Sequence, residues 1–263
     1  MDISIAKLCK KHGVRAKKHY GQNFLTDQNI CDKIVRLSNI KPSDHILEIG
    51  PGLGSLTRSI IKANPCKITC IEADKSLIPV ISDLTQDTQV IQLLSEDALK
   101  VRICDIINPN HKLKIIANLP YNIGTKLLLN WLEELDHIED LTLMLQKEVV
   151  DRLIASPSTK EYGRISVITQ ANCHLNKEFD INPKSFYPQP KIWSSVVKII
   201  PKKERPPKYL TKKLEMICKA SFAKRRKMLK TSLNTVIPDF TLLESIGIDM
   251  SKRAEDLSCD QYL

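Results

Sequence analysis

Asn118, Leu119, Pro120 and Tyr121 close the apolar run "IIANLPYNIG" (residues 115–124). An amide, a rigid ring and an aromatic are an odd ending for a buried strand. Turn chemistry explains the Asn and the Pro. A second explanation is a planar, hydrogen-bonding guest. The exocyclic amine of adenine is such a guest, and a poor nucleophile. To take a methyl group it needs orientation and stabilisation of developing positive charge more than a strong base. The Asn118 side-chain oxygen and the Pro120 carbonyl are candidate acceptors for its two N–H bonds. Tyr121 offers a face for the base, worth about 1–3 kcal/mol of stacking. Such a base must leave its own stack to reach the turn.

Three further strand ends carry related groups. "LEIGPGLGSLT" (residues 47–57) sets Gly50, Gly52 and Gly54 after an apolar run, with Glu48 just before them. The G-x-G-x-G spacing differs from the G-x-G-x-x-G of dinucleotide binders. Glu72 ends the next run, "TCIEAD", roughly 20 residues on, where a carboxylate can accept from ribose hydroxyls. Asp97 ends a third run, "LLSEDA", where it can accept from an adenine amine. Each acid taken singly could equally be an N-cap or a solvated strand end. Glycines, Glu and Asp on successive strand ends together point to a nucleoside ligand, and on this pattern to S-adenosylmethionine.

The elements that must hold these groups alternate. Apolar runs at residues 45–50, 67–74, 90–98, 112–120 and from 141 are separated by helix-like stretches such as 56–63 and 125–135. This pattern predicts an α/β fold with a parallel sheet, helices on both faces and ligands beyond the carboxyl ends of the strands. "SSVVKII" adds a strand-like run. The Pro- and Lys-rich residues 201–207 read as a linker. Two domains follow, 1–201 around the sheet and 202–263 small and all-helical.

A net charge of +10 favours a polyanionic partner. "KASFAKRRKMLK" (residues 219–230) places Lys219, Lys224, Arg225, Arg226, Lys227 and Lys230 on an expected helix, suited to phosphate contacts or simply to a solvated face. Lys10, Lys11, Lys17, Lys18 and "KKER" add cations. Eight cysteines, among them Cys9 and Cys70, form no C-x-x-C pair, so a zinc ribbon is not expected and reduced thiols are. No metal is expected. No apolar run suits a bilayer, and the first residues lack a signal-peptide core.

The motifs taken together resemble the ribosomal RNA adenine N6,N6-dimethyltransferase family. "KKHYGQNFLTD", "EIGPGLGSLT", "IEAD", "EDAL" and "ANLPYNI" match its motifs in order. "QKEVVDRL", "YGRISV", "FYPQPKIWSSVV", "SFAKRRKML" and "KRAEDLSCDQYL" extend the match nearly end to end. The resemblance implies a Rossmann-like class I methyltransferase sheet with a small helical C-terminal domain. It implies cofactor contacts at Asn23, Leu25, Gly50, Gly52, Glu72, Asp97 and Asn118. It implies catalysis at Asn118, Leu119, Pro120 and Tyr121, with Tyr121 and Phe186 flanking the adenine, and RNA contacts at Lys224, Arg225, Arg226 and Lys227. Trp193 stands where the family usually has an acid.

The bacterial small-subunit type is the one most resembled. That type dimethylates two adjacent adenosines in a hairpin near the 3′ end of small-subunit (16S) ribosomal RNA, on a precursor particle. A cytoplasmic monomer is expected. The alternatives are a large-subunit methylase of the macrolide-resistance type and a non-catalytic RNA-binding assembly factor.

Overall fold

Strand β1 (Phe24–Leu25) is followed by β2 (His45–Ile49), β3 (Lys67–Ile71), β4 (Ile91–Leu94), β5 (Leu113–Asn118) and β6 (Ile138–Gln146). Then come β7 (Cys173–Ile181), β8 (Phe186–Tyr187) and β9 (Ser194–Pro201). This computed structural model describes residues 11–86, 88–108 and 111–263; Cys9 and Lys10 lie outside the described residues. Seven strands form one sheet in the order β4-β3-β2-β5-β6-β9-β7, and β1 pairs with β8 apart from it.

Strands β2 to β6 pair in parallel, but β9 runs antiparallel to β6. The wholly parallel sheet expected from the sequence is therefore corrected to a mixed one. The register gives the reason. The chain comes to β9 from the end where β6 finishes, with Ser194 opposite Gln146. From β2 the chain steps outward to β3 and β4, then returns to β5 on the other side of β2. The gap beyond β2 and β5 is thus the topological switch point, where such sheets bind ligands.

The chain forms two compact units, Met1–Lys147 with Asn176–Ile200, and Glu148–Leu175 with Pro201–Leu263. The second begins its last segment at the expected linker, but it also holds residues 148–175, which the sequence reading left with the sheet.

In the first unit, helices α1 (Gln28–Ser38), α2 (Ser55–Lys62), α3 (Ile78–Thr85) and α4 (Gly124–Leu132) follow their strands. Asp27 caps α1 by accepting from the backbone N–H groups of Asn29 and Ile30, and the helix ends at Asn39 in the left-handed region. Its buried residues Cys31, Ile34, Val35 and Ser38 fall at helical spacing. Cys31, Ile34 and Val35 pack with Leu56 and Ile60 of α2 on Ile46, Ile68, Cys70, Ile116 and Met144 of the sheet. Leu47, Ile115 and Leu143 on the other face are buried as well, as a sheet covered on both sides requires.

At the end of β5 away from the switch point, Lys114 is 3% exposed and reaches the α1 C-terminal carbonyls of Ser38 (3.2 Å) and Asn39 (3.1 Å) and the Asp44 carboxylate (3.1 Å). A cation at a helix C-terminus is favourable, and this one anchors the strand that carries Asn118.

The second unit contains α5 (Lys147–Leu153, from its second residue), α6 (Arg164–Asn172), α7 (Lys208–Ala223), α8 (Leu229–Leu233), α9 (Thr241–Ser245) and α10 (Cys259–Tyr262). Phe222 at the end of α7 sits between Tyr162 and Tyr262, with ring centroids 6.3 and 6.0 Å away. Helix α6 packs on α7 and α10, which is why residues 148–175 belong with the C-terminal helices. No helix of the described residues is long and apolar enough to cross a membrane.

Candidate active site at the ends of the central strands

A crevice opens at the switch point, lined by the ends of β1, β2, β3 and β5 and the turns that follow them. It gathers Asn23, Leu25, Gly50, Gly52, Glu72, Asp97, Asn118, Leu119, Pro120 and Tyr121.

The glycine turn is built around Glu72. One carboxylate oxygen accepts from the Gly52 N–H (3.2 Å), the other from the Asp74 N–H (2.8 Å). Burial raises the Glu72 pKa, and these donors oppose the rise. The Ala73 N–H also bonds this carboxylate, which lines the crevice. Gly50 has φ +65°, and a side chain there would meet no atom of the protein within 4 Å. Its left-handed backbone admits glycine most readily, and the space beside it is open. Asp97 accepts from the Leu99 N–H through Oδ1 (3.0 Å), a local turn that leaves Oδ2 unused among the described residues. Glu48 is fully buried behind the turn, and burial pushes its carboxyl up to about 8.

The strip 17–25 is laced onto this frame. Asp74 accepts from Lys17 Nζ (2.7 Å) and Gln22 Nε2 (2.8 Å). These bonds hold its pKa down to about 2 against the effect of burial. Asn118 Nδ2 donates to the Asn23 carbonyl (3.1 Å). The amide is thereby oriented, with Oδ1 left as acceptor.

Beyond Asn118 the turn differs from the expectation in one atom. The Pro120 carbonyl accepts from both the Ile123 N–H (3.2 Å) and the Gly124 N–H (2.9 Å), so it starts α4 and is not available to a base amine. Leu119 lines the crevice, and its N–H is bound to the Met144 carbonyl (3.1 Å). Its own carbonyl has no partner among the described residues. The carbonyl left open at this turn is therefore that of Leu119 and not that of Pro120. The Tyr121 hydroxyl bonds Ser194 Oγ on β9 (2.7 Å), and burial raises its pKa, so the phenol stays neutral.

Phe186, expected beside the adenine, is 4% exposed, pairs through β8 with Leu25 and packs in the core. It does not line the crevice. Its short strand turns it inward, and its neighbour Tyr187 is the exposed ring.

The cationic expectations also change. Helix α7 stops at Ala223, so Lys224, Arg225, Arg226 and Lys227 occupy a turn. Arg225 is committed within its own unit, to Glu255 and to the carbonyls of Thr159 and Lys160. Lys224, Arg226 and Lys227 are exposed. Lys17 is held by Asp74, and Lys11 pairs with Asp83 at 2.6 Å.

Asp74, Gln22 and Ser194 are the contributors that sequence reasoning missed as such. The first two lay inside quoted motifs, but their pairing across 52 residues has no local signal. Ser194 reaches Tyr121 only through the register of β9.

The family model described as ribosomal RNA adenine dimethylase matches residues 13–263. The chain belongs to that family. Among its relatives, a ribosomal RNA small subunit methyltransferase A of Wolbachia pipientis wMel is 40% identical over 257 residues, covering 96% of this chain and 88% of the relative. One of the same name from Saccharophagus degradans is 39% identical, covering 95% and 93%.

A dimethyladenosine transferase from Plasmodium falciparum superposes with a TM-score of 0.75 at 24% identity, covering 91% of this chain and 94% of the other. A 23S rRNA methyltransferase gives 0.70 at 22%, covering 91% and 96%. The family fold is thus the class I methyltransferase fold that the sequence implied.

Proposed function

We propose that this chain is an S-adenosylmethionine-dependent methyltransferase that converts adenosine to N6,N6-dimethyladenosine in small-subunit ribosomal RNA. Two adjacent adenosines near the 3′ end are the targets, on a precursor of the small subunit, and the enzyme works as a cytoplasmic monomer. The observation that carries the reading is the acceptor pair at the end of β5. Asn118 Oδ1 and the Leu119 carbonyl stand together beside the crevice of Gly50, Glu72 and Asp97.

The residues fit the cofactor. The open position at Gly50 lets backbone lie against a ligand. Glu72 keeps acceptor capacity for a ribose diol, and Asp97 Oδ2 for an adenine amine. Asn23, Leu25, Gly52 and Asn118 complete the walls. When bound, the cofactor supplies an electrophilic methyl group on a sulfonium.

The chain's own part is orientation and electrostatics. Asn118 Oδ1 and the Leu119 carbonyl accept the two N–H bonds of the target amine. They favour positive charge on the nitrogen as it is alkylated. After one transfer one N–H remains, and one acceptor still holds it for the second. The Tyr121 ring, fixed by Ser194, supports the base face. No residue has to remove a proton beforehand, which agrees with the neutral Tyr121.

The small-subunit choice is supported by the names of relatives at 39–40% identity over most of the chain. The large-subunit alternative has likeness of fold alone behind it. Intact Glu72, Asp97 and Asn118 speak against a non-catalytic factor. The test is mapping of dimethyladenosine by primer extension and mass spectrometry in both ribosomal RNAs, with and without the gene. Loss confined to the small subunit supports the proposal. Loss from the large subunit, or none, overturns it.

A further inference from the structure

Aromatics make up only 5% of this chain, yet two large rings are set out in water on one stretch of seven residues. "YPQPKIW" (187–193) joins β8 to β9. Tyr187 is 59% and Trp193 48% exposed, with Ile192 exposed between them. Large apolar groups grouped at a surface mark a binding face more often than scattered ones do.

The stretch is pinned at both ends, so the rings leave a fixed backbone. Before it, the Ser185 carbonyl accepts from Thr26 N–H (2.8 Å) and Oγ1 (2.9 Å). After it, the Trp193 carbonyl accepts from the Lys147 N–H (2.9 Å). The next residue, Ser194, holds the Tyr121 hydroxyl at 2.7 Å. Trp193 is therefore one residue in sequence from the group that fixes the crevice aromatic. The charge of the stretch is one-sided. From residue 181 to 200 there is no acid and there are three lysines, of which Lys184 and Lys191 are exposed. The carboxylate just before the stretch, Asp180, is taken up by Ser195 and Lys177, and exposed rings interleaved with lysines match bases and phosphates.

We propose that Tyr187 and Trp193 form a stacking platform for single-stranded RNA, holding nucleotides that flank the base placed in the crevice. The proposal rests on the reading above that the substrate is RNA. Every base has a π face, so the platform supplies affinity and register and not sequence choice.

Fluorescence reads it directly. The chain has two tryptophans, and Trp131 is 3% exposed, so emission sensitive to a surface ligand comes from Trp193. The probe is an oligoadenylate of about ten nucleotides, within the usual range of single-strand sites. It is added to the full chain, with binding followed independently by anisotropy of the labelled oligonucleotide.

Binding is expected to quench emission of the wild type. Trp193→Phe should abolish the quench while keeping affinity within about two-fold, because a ring remains. Trp193→Ala and Tyr187→Ala should each weaken binding by roughly five-fold or more. Their affinity for S-adenosylhomocysteine should be unaltered, which shows that they are folded. If the wild type binds the oligonucleotide with unchanged emission, and Trp193→Ala binds it equally well, the platform is wrong and the RNA reading stands. If the wild type neither binds nor methylates RNA, both fall.

Discussion

The side-chain amide of Asn118 donates to the main-chain carbonyl of Asn23 across 3.1 Å, tying the end of β5 to the N-terminal strip. This bond decides which end of the amide faces the crevice. Asn118→Ala removes the acceptor and should lower the methyl-transfer rate by about 10²–10³-fold, with RNA affinity within about two-fold. Asn118→Asp keeps an acceptor but sets a carboxylate against the Asn23 carbonyl, and should also weaken cofactor binding. Single-turnover transfer and calorimetric titration with S-adenosylhomocysteine separate the two effects. Equal losses of RNA binding and transfer would remove Asn118 from its assigned role.

Tyr121 and Ser194 should behave as a unit. Tyr121→Phe and Ser194→Ala each delete the same 2.7 Å bond, so the double variant should lose little beyond either single one. The coupling expected from a cycle of the three variants is about 1 kcal/mol in transfer rate. Tyr121→Ala, which removes the ring, should lose far more. Additive single effects would mean that the bond does not position the ring.

In the second unit, the four cations of the α7–α8 turn should divide by role. Arg225→Ala leaves Glu255 unpaired and frees the carbonyls of Thr159 and Lys160. It should lower the unfolding midpoint by a few degrees, equivalent to roughly 1 kcal/mol. Lys224→Ala, Arg226→Ala and Lys227→Ala should leave the midpoint in place. Each should reduce the slope of log affinity for RNA against log salt by about one. Unchanged slopes would return this turn to an ordinary solvated surface.

Glu48 gives a pH signature. Its buried carboxyl keeps a proton up to about pH 8, against an ordinary value of 4.5. The folded state therefore binds a proton that the unfolded chain releases, and stability must fall as pH rises from about 4.5 to about 8. Glu48→Gln removes this contribution. Relative to the wild type, the variant should gain stability from pH 5 to pH 8, on the order of a few kcal/mol. Unfolding midpoints of both proteins at the two pH values check it, and parallel pH profiles would contradict it.

Much of the frame was legible in the sequence because its central strands are buried on both faces and read as plain apolar runs. The expected runs at 45–50, 67–74, 90–98 and 112–120 coincide with β2 to β5 within a few residues, and stretches 56–63 and 125–135 with α2 and α4. The direction of β9 was not legible, because an apolar run carries no sign of which end it enters from. The roles of Pro120 and Arg225 were hidden for a related reason. The Pro120 carbonyl is used up by a helix start three and four residues on, and Arg225 by a carboxylate 30 residues away. Phe186 could be a wall of a pocket or part of a core with the same neighbours in sequence. Here it packs with the core at 4% exposure, a placement that depends on β8 pairing with β1.

The glycine turn has a consequence for how substitutions here should be read. At Gly54, with φ +75°, a methyl group would overlap the end of the Leu84 side chain, which must swing aside. At Gly50, with φ +65°, no neighbour objects, and within the chain the demand for glycine is one of backbone torsion alone. A stability screen would flag the first position and underrate the second. Only a screen for turnover would reveal that two glycines four residues apart answer to different judges.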